Sequence, residues 1–316
     1  MRKRWDLVVM VVLLIAAVVW WRWPAAASDG VVHVAAAGDM ACASNDPRYA
    51  AGAGQDGWCM QMAVSDLVAG KGLDTVFGLG DYQYEEARGD DYDTVYDPSW
   101  GRVRSITRPA LGNQEYKVHE ANTFSSYFGD GVDPATGWYS YDLGRWHVVV
   151  LNSNCPLVGG CDDASPQLEW LRADLAADDH ECVIAYWHHP RWTTGLWGND
   201  RRVDAFWRTL ADAGADVVLT GHEHDYERFD PLDADGRPDP SGIRSFVVGT
   251  GGQAVYGPEG DTADRGSALA PHLGSALRVD DQHGALFLTL GDGTYHWQFT
   301  GLDGRSIDEG DGACTP

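Results

Sequence analysis

Seven apolar runs rich in β-branched residues punctuate the chain, at residues 31–37, 75–79, 146–151, 182–187, 216–220, 245–248 and 285–290. Each has the length of a strand rather than of a helix. The runs at 31–37 and 75–79 lack polar alternation, which marks strands buried on both faces. Between the runs lie segments with helical spacing: 60–69, 166–177 with Leu168, Trp170, Leu171 and Leu175, and 203–213 with Phe206, Trp207 and Leu210. Alternating strands and helices predict α/β layering, and residues 245–299 are strand-rich without clear helices. The expected fold class is therefore α/β, with two packed mixed β-sheets flanked by helices. The Gly/Pro/Asp-rich stretches 230–242 and 256–266 read as surface loops of one continuing unit, so residues 28–316 form a single expected domain.

The first residues follow other rules. Arg2, Lys3 and Arg4 precede an apolar stretch from Leu7 to Trp21, followed by Pro24-Ala25-Ala26-Ala27-Ser28. A positive start, an apolar middle and an Ala-x-Ala end make residues 1–27 a signal peptide, or failing cleavage an N-terminal anchor, although the run is short for a full membrane span. Export, with cleavage after Ala27, is the expected outcome. All six cysteines lie beyond that point, as suits an oxidising destination. Cys155 with Cys161 and Cys42 with Cys59 each flank a short loop, which would leave Cys182 for Cys314, although spacing alone does not fix connectivity.

The chain has 316 residues, 44% hydrophobic content and 14 tryptophans, enough for a sizeable core. Its formal charge is −24, and loss of residues 1–27, with four basic residues and one acidic, takes it to −27. So acidic a surface disfavours duplex nucleic acid and anionic membrane. A phosphate-bearing substrate would need local positive charge, which metal ions could supply.

Polar residues collect at the carboxyl ends of the apolar runs. These are Gly38-Asp39, Gly80-Asp81, Gly112-Asn113, His188-His189 and Gly221-His222-Glu223-His224. Ligand sites of α/β sheets form outside such ends, and neutral imidazole is the commonest protein metal ligand. Any one pair reads equally well as a turn. Five together at one sheet edge point to a metal site.

These residues resemble the five ordered blocks of the calcineurin-like metallophosphoesterases: Asp39, the run Gly80-Asp81-Tyr82-Gln83-Tyr84, Gly112-Asn113-Gln114-Glu115, His188, and Gly221-His222-Glu223-His224. Tyr84, and Tyr226-Glu227-Arg228 after the last block, give the likeness to the purple acid phosphatase branch. The resemblance covers nearly all of residues 31–300 and implies that fold's four-layer sandwich, with two metal ions sharing Asp81. Asp39, Tyr84 and His224 would complete one site, and Asn113, His188 and His222 the other. A phenolate favours trivalent iron and gives a charge-transfer colour, so the resemblance implies iron at the Tyr84 site and zinc, manganese or iron at the Asn113 site. Two cations about 3.5–4 Å apart can clamp the attacking and leaving oxygens of an in-line phosphoryl displacement.

Two positions depart from the family pattern. Where the family carries a histidine after the Gly-Asn pair, this chain has Gln114, which can donate a hydrogen bond but cannot protonate a leaving alkoxide. General-acid help is commonly worth about 10²–10⁴ in rate. Trp197 stands near where a second family histidine falls. His189 is the nearby substitute acid, or else a packing residue; Arg191 either contacts phosphate or is structural. His33, His147 and His296, inside strand-like segments, read as core or surface residues. The resulting expectation is an exported phosphatase acting on small phosphomonoesters by direct attack of a metal-bound hydroxide. The alternatives are a phosphodiesterase or nucleotidase on the same core, or a metal-binding surface protein with little turnover.

Overall fold

The computed structural model describes residues 30–85, 89–117, 121–129, 132–133, 135–256 and 274–315. The expected leader at 1–27 and most of the expected loop at 256–266 lie outside them. Among the described residues, no helix is long and apolar enough to cross a membrane.

Six strands form one sheet, in the order β13 (Ser306–Ala313), β12 (Thr294–Gly301), β11 (Gly284–Leu290), β1 (Val32–Ala37), β2 (Thr75–Gly78) and β3 (Thr107–Pro109). Seven form the other, in the order β10 (Leu277–Val279), β8 (Tyr226–Arg228), β9 (Arg244–Val248), β7 (Val217–Thr220), β6 (Cys182–Tyr186), β5 (Trp146–Val150) and β4 (Tyr139–Leu143). β1, β2 and β3 run parallel, as do β5, β6, β7 and β9. All other pairings are antiparallel, so both sheets are mixed. Parallel neighbours need crossovers, and helices supply three of them: Gln61–Val68 from β1 to β2, Pro166–Ala177 from β5 to β6, and Asp204–Asp212 from β6 to β7. The second begins where Ser165 Oγ accepts the Leu168 N–H and Pro166 takes the first turn, both favourable at a helix start.

The packing explains the unbroken apolar runs. Val34 and Ala36 join the core between the sheets with Val148, Ile184 and Leu219, where Phe77 stacks on Tyr186 at 4.8 Å between centroids. Ala35, Ala37 and Val76 instead pack with Val64 and Val68 of the first helix and with a cluster that includes Tyr82, Tyr96 and Phe124. On the far face of the second sheet, Val149, Ala185 and Val218 meet Leu168, Leu171, Phe206 and Trp207. The result is four layers, helix, sheet, sheet, helix, as the pattern of runs predicts.

The unexpected elements are short or polar. β3, β8 and β10 have three residues each, too few to show a period. β13 reads Ser-Ile-Asp-Glu-Gly-Asp-Gly-Ala and is held by its register with β12 and by Asp308. That buried carboxylate accepts from Tyr226 Oη at 2.6 Å, Arg228 Nε at 2.9 Å and Trp297 Nε1 at 3.1 Å, so its charge is both paired and hydrogen-bonded. Disulfides join Cys42 to Cys59 and Cys155 to Cys161, the two loop-closing pairs, and Cys182 to Cys314, the pair left by elimination.

Candidate metal centre

The carboxyl ends of β1, β2, β6 and β7, and the turn after β3, meet at one edge where the two sheets face each other. The loop after β1 is laced to the loop after β2, with Asp39 N donating to Gly80 O at 3.0 Å and Met40 N to Asp81 O at 2.9 Å. Asp39, Asp81 and His222 hold φ angles of 58°, 54° and 70°. This left-handed region costs a non-glycine residue roughly 1–3 kcal/mol and recurs where function demands a geometry. Gly112 sits so close to Asp81 that a Cβ there would lie 2.2 Å from Asp81 Oδ1, which explains the glycine before Asn113.

The side chains converge on two adjoining clusters. In one, Tyr84 Oη lies 2.7 Å from Asp39 Oδ1, 2.9 Å from Asp81 Oδ2 and 3.1 Å from His224 Nε2; His224 Nε2 is 3.3 Å from Asp39 Oδ1. In the other, His188 Nε2 lies 3.2 Å from Asn113 Oδ1 and 3.3 Å from Asp81 Oδ2. Asp81 Oδ2 belongs to both. Its partner oxygen, Oδ1, accepts the Gln114 N–H at 2.8 Å, which fixes the carboxylate plane. The His222 ring lies 5.0 Å from that of His188 between centroids, and its backbone N–H donates to Asp39 Oδ2 at 2.7 Å.

Proton accounting tests whether these atoms fit cations. Nδ1 of His188 faces Leu79 O at 2.8 Å, and Nδ1 of His224 faces Ala254 O at 2.7 Å. A carbonyl can only accept, so both Nδ1 atoms carry hydrogen, and each ring turns its Nε2 toward a group of oxygens that includes carboxylate acceptors. The single Tyr84 hydroxyl proton cannot serve two carboxylates and an imidazole at once. A proton can bridge His188 to Asp81: burial pushes His188 down, but the Asp81 charge and hydrogen bond outweigh it and lift it to about 9. Burial pushes Asp81 up, yet His188 and the Gln114 N–H bring it to about 2. His222 goes the other way, held at about 4 by burial and by the charge of His188. Tyr84 is held well above its ordinary value, by burial and then by Asp39 and Asp81. Lone pairs thus outnumber protons in both clusters. Oxygens and imidazole nitrogens about 3 Å apart are the donor set and spacing that hard or borderline cations take.

A ring of buried carboxylates around these residues was not singled out as site residues by the sequence. Glu115 Oε2 accepts from Asp81 N at 2.9 Å and Gly112 N at 2.8 Å, while Oε1 accepts from Tyr82 N at 2.9 Å. Burial, then the Asp81 charge, raises it to about 7. Glu223, between the two histidines of the doublet, accepts from Trp197 N at 2.7 Å and Gly198 N at 2.9 Å; burial lifts it to about 8. Glu227 accepts from Thr194 N at 2.9 Å. The available signal was an acid one to three residues from a ligand, which looks no different from a solvated one.

The auxiliary candidates divide. Gln114 is buried, and its backbone orients Asp81. His189 is buried, with Nδ1 2.8 Å from Ser153 Oγ and its ring 4.4 Å from that of His222; burial, then the charges of His222 and His188, push it well below its usual value. Arg191 takes its structural role: Nη2 pairs with Asp204 at 2.7 Å and the guanidinium stacks on Trp192. His147 and His296 pair with Asp174 and Asp311, away from the cluster.

A family model described as calcineurin-like phosphoesterase matches residues 60–226. Among curated proteins, purple acid phosphatase 21 of Arabidopsis thaliana is 28% identical over 221 residues, covering 63% of this chain and 48% of its own length. Purple acid phosphatase 15 of the same plant is 31% identical over 174 residues, covering 48% of this chain and 32% of its own. The chain spans about half the length, or less, of such relatives. Among solved structures, purple acid phosphatase PPD1 from yellow lupin (Lupinus luteus) seeds superposes on 90% of this chain and 54% of its own, with a TM-score of 0.71 at 17% identity. That likeness is one of fold.

Proposed function

Because the chain belongs to the calcineurin-like phosphoesterase family, we propose that it is an exported phosphomonoesterase that works with two metal ions. The observation that carries this reading is Asp81 Oδ2, one oxygen within 2.9 Å of the Tyr84 hydroxyl and 3.3 Å of His188 Nε2, placed to be shared by two sites. Asp39, Tyr84 and His224 would hold one ion, iron, and Asn113, His188 and His222 the other, zinc, manganese or iron. When bound, the pair supplies Lewis acidity to water and positive charge to the phosphate on a protein otherwise strongly acidic.

The remaining work falls to the chain itself. Gln114 N–H holds the shared carboxylate, and its side-chain amide is the donor nearest in sequence for a phosphate oxygen. In this reading water attacks phosphorus directly, and no phosphorylated protein intermediate forms. The departing oxygen needs a proton from His189 or from solvent, since Gln114 has none to give. That same residue favours a second reading, hydrolysis of diesters whose leaving groups depart unaided.

Natively purified protein should contain two metals per chain, absorb in the visible, and hydrolyse phenyl phosphate faster than bis(4-nitrophenyl) phosphate. A faster diester rate selects the second reading. Inactivity on both across pH, with iron, zinc and manganese supplied, refutes the enzyme and leaves a metal-binding surface protein.

A further inference from the structure

The loop over the metal centre presents one large ring to solvent. Among the described residues the exposed large hydrophobic side chains are Val31, Leu157, Trp197 and Leu302, and Trp197, at 52% exposure, is the aromatic one. Its ring centroid is 6.0 Å from that of His222. The backbone beneath it is fixed: the N–H groups of Trp197 and Gly198 both donate to Glu223, and the N–H and hydroxyl of Thr194 donate to Glu227. Both carboxylates come from the segment that carries His222 and His224, so the loop is registered to the metal centre. The fit is close, since a Cβ on Gly195 would lie 2.5 Å from Glu223 Oε2.

The Tyr256 ring lies parallel to that of His224 at 4.4 Å and 7°. Each histidine of the doublet therefore carries an aromatic neighbour. A solvent-facing indole on a backbone fixed in this way offers contact area at little cost in side-chain entropy.

We propose that Trp197, held over His222 by the Glu223 contacts to its backbone, is the wall on which the substrate's leaving group lies, and that the preferred esters carry a planar aromatic group on the ester oxygen. The inference rests on the phosphoester hydrolysis proposed above and names its substrate class. Water supplies the new P–O bond, the bond to the aryl oxygen breaks, and the aryl oxide departs with the electron pair and takes a proton from solvent. A leaving group of that kind needs little protonation, which agrees with Gln114 in place of a histidine.

Trp197→Ala should lower kcat/KM for phenyl phosphate about tenfold, the weight of one aromatic contact, with less than a threefold fall for glycerol phosphate. Trp197→Phe should restore most of the loss. An equal loss on both esters, or none on either, overturns the proposal. A second measurement does not depend on turnover: calorimetry on the metal-loaded protein with phenylphosphonate and methylphosphonate. Wild type should bind the phenyl compound about tenfold more tightly, and Trp197→Ala should bind both alike. A wild type without that preference overturns the wall, whereas a wild type that shows the preference but hydrolyses neither ester overturns only the hydrolase reading.

Discussion

The Tyr84 hydroxyl lies 2.9 Å from Oδ2 of Asp81, the oxygen that His188 approaches from the other side. Asp81→Ala should therefore reduce metal content from two ions per chain to one or none and lower kcat/KM at least a hundredfold. Tyr84→Phe should keep the fold, shown by an unchanged circular dichroism spectrum, and abolish the visible band. A wild-type protein that is colourless with two metals bound would rule out iron on the phenolate.

Glu115 accepts three backbone N–H groups, from Asp81, Tyr82 and Gly112, and so ties the turn after β2 to the turn after β3. In Glu115→Gln an amide NH₂ faces N–H donors, and a buried donor left unsatisfied costs about 1–3 kcal/mol. The midpoint of urea unfolding should fall accordingly. Metal affinity, read by competition with a chelator, should weaken about 10–100-fold, as it does when the groups that hold ligands in place are removed. Retained affinity with lowered stability would make Glu115 structural alone.

His147 carries a pH dependence away from the candidate metal centre. Its Nε2 is 2.9 Å from Asp174, and its Nδ1 is 3.1 Å from Asp142 and 3.7 Å from Asp178, while the His180 ring stacks beside it. Burial pushes its pKa down, but the bonds to Asp174 and Asp142 and the charges of Asp174 and Asp178 prevail and bring it to about 9. A folded value above the unfolded one stabilises fully below about pH 6.5, and that stabilisation is lost as pH rises through 9. His147→Gln should cost about 1–2 kcal/mol at pH 6, after allowance for solvent screening, and much less at pH 9.5. Equal costs at the two pH values would count against the ion pairs.

Gln114→His supplies the proton donor that the family pattern has and this chain lacks. On glycerol phosphate, whose alkoxide leaves poorly, kcat should rise about 10²-fold or more. On phenyl phosphate the gain should be a few-fold. A uniform rise on both would mean that the residue acts on phosphate binding rather than on the leaving oxygen.

The parallel strands of the site were legible because they are buried on both faces, which leaves unbroken apolar runs, and because a polar residue after such a run is visible in one dimension. Asp39, Asp81 and His188 were readable in this way. Glu115, Glu223 and Glu227 were not, since a carboxylate that caps backbone N–H groups from another loop carries no local pattern. Trp197 was visible as a departure from a family motif, but its orientation over His222 is set by Glu223 and Glu227, through contacts 25 to 33 positions away in the chain. β13 escaped notice because its order comes from β12 and from Asp308 rather than from alternation. Arg191 stood open between phosphate and structure until Asp204 and Trp192 were seen to engage it.

The bond between Cys182 and Cys314 spans 132 positions and encloses β7 to β13, strands drawn from both sheets, in one covalent ring that starts at β6. A single proteolytic cut anywhere inside that ring yields two fragments that cannot diffuse apart without a reductant. His222 and His224 lie within the ring, Asp39 and Asp81 outside it. The two halves of the candidate metal centre would thus stay tethered in a nicked molecule, so that a single cut in the ring need not separate His222 and His224 from Asp39 and Asp81.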